Sequence, residues 1–351
     1  MRRLLPQKLM IKALFTPANL FIALGCVATV SLTACSDNNQ PSTSQSTPSN
    51  QAVTKTADKE PTKDSQPKST AASQAPLKEI TIAFATRRDT KDLQSKVDQV
   101  SSILSKEIGI PVKGVIGDET ASVEALRANR ANVAFVSGRA ALKAEDLAGA
   151  KMYLAEVRED YSGGKTYKSV FVVPEDSSLK TLPDPQKNLE QLRGKRMAFT
   201  SRSSGSGFIF PVSELVGLKF VDGPDRLEQF FGKVTYGDGY SSALQAVLRD
   251  QADVAVVSEY ALLPPWITAE EGKKLRVLHA VSNVPAHGIS IDDSVPTDVR
   301  EKLITAFLKL NEPANNELFR SMYNSTQLVK VDHETHLAPM RTAIQRAGLK
   351  P

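Results

Sequence analysis

The sequence predicts an α/β fold made of two lobes, and three observations lead to this class. Short β-rich runs alternate with stretches of helical spacing, a pattern typical of parallel-rich mixed sheets covered by helices. About 275 residues, from 77 to 351, have the composition of a folded body, which is enough for two cores. A similar sequence unit also occurs once in each half of that body.

The predicted strands and helices follow one another in a regular order. In the first helix, Val97, Val100 and Leu104 have the spacing that places them on one buried face. We expect strands at residues 79–84, 112–115, 133–136, 169–173, 196–200 and 254–257, and helices at 92–107, 123–128, directly after Gly207 and at 242–249.

The repeated unit is a helix followed by a buried strand and a serine. Residues 131–142 can be aligned with residues 252–263, and seven of the twelve positions are identical. Ser137 and Ser258 come directly after the two strands, and ligands of parallel sheets bind beyond the carboxyl ends of strands. We therefore expect both serines near a cleft between the lobes, unless the similarity is the chance likeness of two ordinary α/β units.

The first 34 residues have the features of a secretory signal peptide. Basic residues precede an apolar run from 13 to 34, and small residues precede Cys35. The Leu-Thr-Ala-Cys sequence resembles a bacterial lipoprotein signal. This implies lipid on Cys35 and a mature protein anchored in the periplasm or at the outer face of the cytoplasmic membrane. An uncleaved membrane helix is the alternative.

Residues 35–76 predict a disordered linker behind that anchor. They contain no Leu, Ile, Phe, Tyr or Trp, so they cannot form a core. Four of the 44 basic residues lie in the signal, which leaves 40 against 39 acidic residues. This near neutrality gives no indication of a nucleic-acid partner. Cys26 is lost with the signal, so we expect no disulfide and no thiolate in the mature fold.

A loop of small residues joins a strand to a helix at residues 201–207. The first backbone N–H groups of a helix have no internal acceptor and carry partial positive charge, and small residues let an anion approach them. The spacing excludes a P-loop and a dinucleotide-binding motif. The loop therefore predicts an oxyanion site, or else a plain serine N-cap on a flexible loop.

This stretch also resembles a known family. The similarity lies in residues 192–200 (LRGKRMAFT), residues 203–207 (SSGSG) and Pro211, which are similar to the motif of the phosphonate-binding family of ABC-transporter substrate-binding proteins. That family includes phosphite and phosphate binders. The resemblance extends from about residue 79 to residue 312.

The family implies a type II-like periplasmic binding protein with a cleft between two lobes and two crossovers. On this basis we expect lobe 1 to contain residues 77–172 and 279–351 and lobe 2 to contain residues 173–278. The chain would cross near residues 172–175 and 279–283.

The resemblance also implies that the serine loop holds the ligand's anionic oxygens. Gly205 stands where the family motif has a threonine, so one hydroxyl is missing. Tyr260 and His287 stand where aminoalkylphosphonate binders have acidic residues, which fits a ligand without an amine. The expected ligand-binding residues are Ser203, Ser204, Gly205, Ser206, Gly207, Tyr167, Ser137, Thr120, Tyr240, Tyr260 and His287, with no metal and no cofactor.

The expected function is that of a substrate-binding lipoprotein, not an enzyme. It would be a monomer that captures phosphite, phosphate or an alkylphosphonate and delivers it to the permease and ATPase of an ABC transporter. Alternatives within the fold are a receptor for another small anion or a thiamine-like compound, and a sensor for a signalling partner.

Two enzyme-like or metal-binding alternatives stay open at this point. A serine hydrolase could use Ser204 or Ser206, for which only His279 and His287 lie in the relevant region as a base. His333 and His336 could belong to a metal site, although the solvated start of a helix is the simpler interpretation because no third ligand is evident.

Overall fold

The computed structural model describes residues 77–86, 92–159 and 164–351. The predicted signal peptide, Cys35 and the linker all lie outside these residues. Within them the chain forms two mixed sheets with helices packed against them, which confirms the α/β prediction. No helix in this described part is both long enough and apolar enough to span a bilayer.

The elements are numbered in chain order. The strands are β1 (Ile80–Ala85), β2 (Val112–Gly117), β3 (Val133–Val136), β4 (Lys151–Val157), β5 (Thr166–Pro174), β6 (Arg196–Phe199), β7 (Lys233–Tyr236), β8 (Val254–Ser258), β9 (Leu275–Pro285), β10 (Gly288–Ile291) and β11 (Gln327–Lys330). The α-helices are α1 (Leu93–Ile108), α2 (Glu119–Arg127), α3 (Gly138–Ala148), α4 (Pro185–Glu190), α5 (Phe210–Gly217), α6 (Tyr240–Leu248), α7 (Ala269–Gly272), α8 (Thr297–Leu308), α9 (Pro313–Tyr323) and α10 (His333–Arg346).

The first sheet contains six strands in the order β11-β4-β10-β3-β1-β2. Strand β1 pairs in parallel with both β2 and β3, while β10 is antiparallel to β3 and β4. The second sheet has the order β7-β6-β8-β5-β9, with β6 parallel to β7 and β8. In both sheets the carboxyl ends of parallel strands therefore meet at one edge, where the loops to the following helices begin.

All six predicted strands are present, as β1, β2, β3, β5, β6 and β8. The predicted helices correspond to α1, α2, α5 and α6. Helix α2 begins at Glu119, before its predicted start at Val123, because the Asp118 side chain accepts a hydrogen bond from the N–H of Ala121 at 2.7 Å and caps the helix there.

The predicted crossings between the lobes do not agree with the sheet membership. Strand β5 pairs with β8 from Ser169 to Val172, so this stretch belongs to the second sheet and not to lobe 1. Strand β9 also belongs to the second sheet through its last residue, Pro285. The chain therefore passes between the sheets after β4 and again between β9 and β10, and the second sheet extends from residue 166 to residue 285.

Helix α10 packs against elements of both sheets. Its buried residues Leu337, Met340 and Ile344 belong to a core that includes Val136 of β3 and Phe199 of β6. The same helix contacts α3, which follows β3, and α5, which follows β6. One continuous apolar cluster therefore connects the two halves of the fold on the side of this helix.

The core of the first sheet is centred on an aromatic stack. The ring of Phe135, which is fully buried in β3, lies parallel to the ring of Tyr323 at 4.2 Å between centroids. Phe319 meets Phe135 edge-on at 6.2 Å. Helix α9, which carries both partners, is therefore held on this sheet by ring packing.

We expect Phe135→Ala to lower the free energy of unfolding by about 3–5 kcal/mol, because it opens a cavity between β3 and α9. Urea denaturation followed by circular dichroism measures this change. The control is Leu147→Ala on helix α3, where the side chain is 42% exposed, which should change stability by less than about 0.5 kcal/mol. Equal stabilities for the two variants would contradict the packing described here.

Candidate functional site

The serine turn, residues 203–207, starts a helix at the end of β6. The Ser204 hydroxyl accepts a hydrogen bond from the N–H of Gly207 at 3.0 Å and is the N-cap. The first turn, Gly205–Ile209, is a wide π-helical turn that continues directly into α5. The helix thus begins three residues before its predicted start at residue 208. The amides of Gly205 and Ser206 lie in a first turn that offers them no intrahelical acceptor.

The two glycines of the turn lie in close contact with other side chains, and the contact is tighter at Gly207. A Cβ atom on Gly207 would overlap the side chain of Thr200, and one on Gly205 would lie 2.9 Å from the Cε atom of Met340. A threonine at position 205 would therefore require the end of the Met340 side chain on helix α10 to move.

Three tyrosines, Tyr167, Tyr240 and Tyr260, form a cluster around Ser206. The Ser206 side chain is fully buried, and its hydroxyl lies 2.8 Å from the hydroxyl of Tyr240. The hydroxyls of Tyr240 and Tyr260 are 3.5 Å apart, and the rings of Tyr260 and Tyr167 have centroids 5.2 Å apart. The tyrosine cluster thus comes from three separate elements, β5, α6 and the turn after β8.

The tyrosine hydroxyls are neutral hydrogen-bond donors. Burial, with a further contribution from Tyr260, raises the pKa of Tyr167 well above its ordinary value, and the same two causes raise the pKa of Tyr240. Both groups therefore keep their protons at neutral pH and can donate to an anion. The Ser206 carbonyl is itself fixed, because it accepts a hydrogen bond from the Ser169 hydroxyl at 2.6 Å.

A buried ion pair from the first sheet faces the tyrosine cluster. Arg158 follows β4, and its guanidinium carbon lies 4.6 Å from the centre of the Tyr260 ring. Its Nη2 atom lies 2.7 Å from Oε1 of Glu156. The same carboxylate is 3.0 Å from Nδ1 of His287 and accepts a hydrogen bond from the Ser325 hydroxyl at 2.6 Å.

Sequence reasoning missed Arg158 and Glu156. Burial by itself would lower the pKa of Arg158. The Glu156 carboxylate and the nearby tyrosines raise this pKa by more than burial lowers it, so the guanidinium stays charged. The available signal was the spacing of Glu156 and Arg158, which stand two residues apart and so share a face at the end of the mostly buried strand β4.

The structure brings together only part of the predicted site. Tyr167, Ser206, Tyr240 and Tyr260 are in mutual contact, and His287 lies beside them with its ring centroid 6.4 Å from that of Tyr167. The other predicted residues lie elsewhere on the turn or across the cleft from it.

Thr120 and Ser203 line a separate pocket of about 460 Å³, together with Glu119 and Arg139. Ser137 does not face an open site. Its N–H and hydroxyl both donate to the Glu119 carboxylate, at 2.8 and 2.7 Å. The protein's own carboxylate thus occupies the start of helix α3.

The contacts of the serines give no support to the hydrolase alternative. The Ser206 hydroxyl bonds with a tyrosine, and the Ser204 hydroxyl bonds with a backbone amide. The imidazole of His287 faces Glu156, and that of His279 lies 3.6 Å from Glu214. The structure thus supplies phenol and amide donors around the turn, which suit binding better than nucleophilic attack.

Of the two histidines considered for a metal site, only His333 lies in a group of possible ligands, with Glu145 and Glu334. His336 is not in this group, and its Nε2 atom lies 3.0 Å from the carbonyl oxygen of Ala286. However, Nδ1 of His333 accepts a hydrogen bond from the N–H of Met152 at 2.8 Å, which leaves the imidazole proton on Nε2, 3.2 Å from Glu145. Arg341 pairs with both glutamates. This arrangement is complete as an ion-pair network at the start of α10.

Comparison with known proteins identifies the family. Residues 82–336 match the model of the family described as "ABC transporter, phosphonate, periplasmic substrate-binding protein". The chain belongs to this family.

Relatives and solved structures agree with this membership. The chain is 25% identical to the phosphate-import protein PhnD of Mycolicibacterium smegmatis over 247 residues, which are 69% of this chain and 74% of that protein. Two solved structures share the fold. One is a binding protein component of an ABC phosphonate transporter from Pseudomonas aeruginosa (TM-score 0.60, 19% identity, 76% and 86% coverage). The other is PhnD1 from Prochlorococcus marinus in complex with methylphosphonate (TM-score 0.61, 16% identity, 77% and 98% coverage).

Family membership confirms two expectations from the sequence. The predicted resemblance of the chain to this family is confirmed over residues 82–336. The two-lobed α/β class is confirmed by the fold shared with the two solved structures. The family is periplasmic and serves transport. The predicted periplasmic location and the predicted class of transport protein therefore agree with family membership.

We expect Gly207→Ala to destabilise the protein by about 1–3 kcal/mol, because the added methyl group overlaps Thr200 in a fully packed turn. Thermal melting measures the loss.

The matched control for this variant is Gly223→Ala, where an added Cβ meets no atom within 4 Å and the backbone is extended. The control should melt like the parent protein. A Gly207→Ala protein with the parent's melting temperature would show that the turn is not packed as described.

Proposed function

We propose that this protein captures a small phosphorus oxyanion at the serine turn and delivers it to the permease and ATPase of an ABC transporter. The ligand would be phosphite, phosphate or an alkylphosphonate without an amine. The observation that carries the proposal is the buried Ser206 hydroxyl, 2.8 Å from Tyr240, in the first turn of a helix at the carboxyl end of β6.

The donors at this place suit a compact oxyanion. The amides of a helix's first turn carry partial positive charge, and the hydroxyls of Ser206 and Tyr240 add neutral donors. Such a set can surround several oxygens of one phosphorus atom. Support also comes from the relatives, one of which is named as a phosphate importer and another of which was solved with methylphosphonate.

The two sheets would form the two lobes, with the serine turn on one lobe and the ion pair of Glu156 and Arg158 on the other. His287 already lies beside the tyrosine cluster in the structure, an arrangement that a closed cleft would hold around the ligand. The proposal includes a lipid on Cys35 that holds the monomeric protein at the outer face of the membrane, with residues 35–76 as the tether.

Isothermal titration calorimetry with phosphite, phosphate, methylphosphonate and 2-aminoethylphosphonate tests the ligand class. We expect binding of at least one of the first three and weaker binding of the amine, because Tyr260 and His287 offer no free carboxylate to an ammonium group. Tight binding of 2-aminoethylphosphonate alone would overturn the choice of an amine-free ligand.

We expect Ser206→Ala to weaken the best of these ligands by about 1–3 kcal/mol, because a hydrogen bond to a charged group is lost. Calorimetric titration gives the change in Kd. Ser213→Ala removes another buried hydroxyl from the same helix, away from the turn, and should leave Kd unchanged. An unaltered affinity in Ser206→Ala would remove the serine turn from the binding site.

A further inference from the structure

Arg158 has a setting that structural stability alone does not explain. Among the residues that the structure describes, it is the only lysine or arginine that is buried, with 4% of its surface exposed. It lies where the chain leaves the first sheet, yet its guanidinium stacks on Tyr260 of the second. Removing an ion pair from water is costly, and apolar residues of similar size often stabilise a fold equally well.

The guanidinium is connected to the serine turn through the tyrosine cluster. It lies over the Tyr260 ring, the Tyr260 hydroxyl is 3.5 Å from that of Tyr240, and the Tyr240 hydroxyl is 2.8 Å from that of Ser206. A cation over the ring face draws electron density toward itself and makes the phenol a stronger donor. At such short range inside a protein, a unit charge is only partly screened.

Glu156 holds this cation in place through a buried salt bridge. Its carboxylate pairs with Arg158 and also bonds with His287 and Ser325. It therefore fixes the guanidinium against the tyrosine cluster, but its negative charge also offsets part of the positive potential there. The two partners of this ion pair should thus have opposite effects on a bound anion.

We propose that Arg158 is the charge-compensating residue of the oxyanion site, acting on the serine turn from the first sheet. This inference rests on the proposed function. The turn and the tyrosines supply neutral donors, and Arg158 supplies the permanent positive charge that an anion buried between the sheets requires. Glu156 is a positioning residue, which orients the guanidinium and reduces its potential.

The test compares charge variants by titration with phosphate and with methylphosphonate. Glu156→Gln keeps a hydrogen-bond acceptor for Arg158 but removes the negative charge, so the anion should bind as tightly as to the parent protein or more tightly. The double variant Glu156→Gln/Arg158→Met leaves no unpaired buried charge, and it should bind the anion about tenfold to a hundredfold more weakly. Arg158→Lys should retain most of the affinity.

Arg193→Met is the matched control, because Arg193 also lies over an aromatic ring, that of Phe230 at 4.8 Å, and pairs with a glutamate, Glu190. Arg193 lies outside the tyrosine cluster, so the Arg193→Met protein should bind the anion like the parent protein. Thermal melting of every variant separates a binding defect from loss of the fold.

The sign of the Glu156→Gln effect distinguishes charge compensation from a merely structural role. If Glu156→Gln weakens anion binding as much as the double variant does, the ion pair of Glu156 and Arg158 only supports the fold, and the inference is wrong. It is also wrong if the double variant binds like the parent protein, although the proposed function then stands. A parent protein that binds neither phosphate nor methylphosphonate nor phosphite would overturn the proposed function itself.

Discussion

The hydrogen bond between the hydroxyls of Ser206 and Tyr240 is the interaction on which the candidate site depends. It joins the start of the helix after β6 to the start of α6. The bond forms only because the serine turn lies deep in the fold, where glycine at position 207 allows contact with Thr200. The Ser169 hydroxyl also fixes the turn by donating a hydrogen bond to the Ser206 carbonyl. The donors of the turn are therefore held in position before any ligand arrives, which limits the entropy that binding must cost.

The electrostatics of the site follow from the same burial. Buried tyrosines keep their protons and act as donors, whereas a carboxylate in their place would repel an anion. The carboxylate that does lie nearby, Glu156, has Arg158, His287 and Ser325 as partners. Glu119 has a comparable position at the start of α3, where Ser137 holds it. The chain thus gives Glu156 and Glu119 internal partners, which limits their repulsion of an anion at the serine turn.

Helix α10 gives the two sheets a shared boundary. It packs on α3 and α5, and Met340 reaches the serine turn beside Gly205. A substitution in the turn therefore affects the packing of helix α10, which is more than a hundred residues away in sequence. A larger residue at position 205 would require the end of the Met340 side chain to move.

Much of the fold could be read from local pattern. Buried parallel strands such as β3 and β8 are continuous apolar runs, and helix α1 has one apolar face. Strands β4, β7, β9, β10 and β11 were not predicted from local pattern. Strand β7 is partly exposed along its length, and the 11 residues of β9 show no regular alternation of buried and exposed positions. The points where the chain crosses between the sheets could not be predicted from local pattern either. Strand β5 belongs to the second sheet because it pairs with β8, and its own composition does not show this.

For the site, local sequence was enough to predict the serine turn, because a strand, a run of small residues and a helix start are local features. Which distant residues meet at this turn depends on long-range packing. Tyr167, Tyr240 and Tyr260 come from three elements, and the ion pair of Arg158 and Glu156 comes from the other sheet. Long-range packing of this kind leaves no periodic signal in one sequence, since contact between two sheets depends on how their loops converge in space.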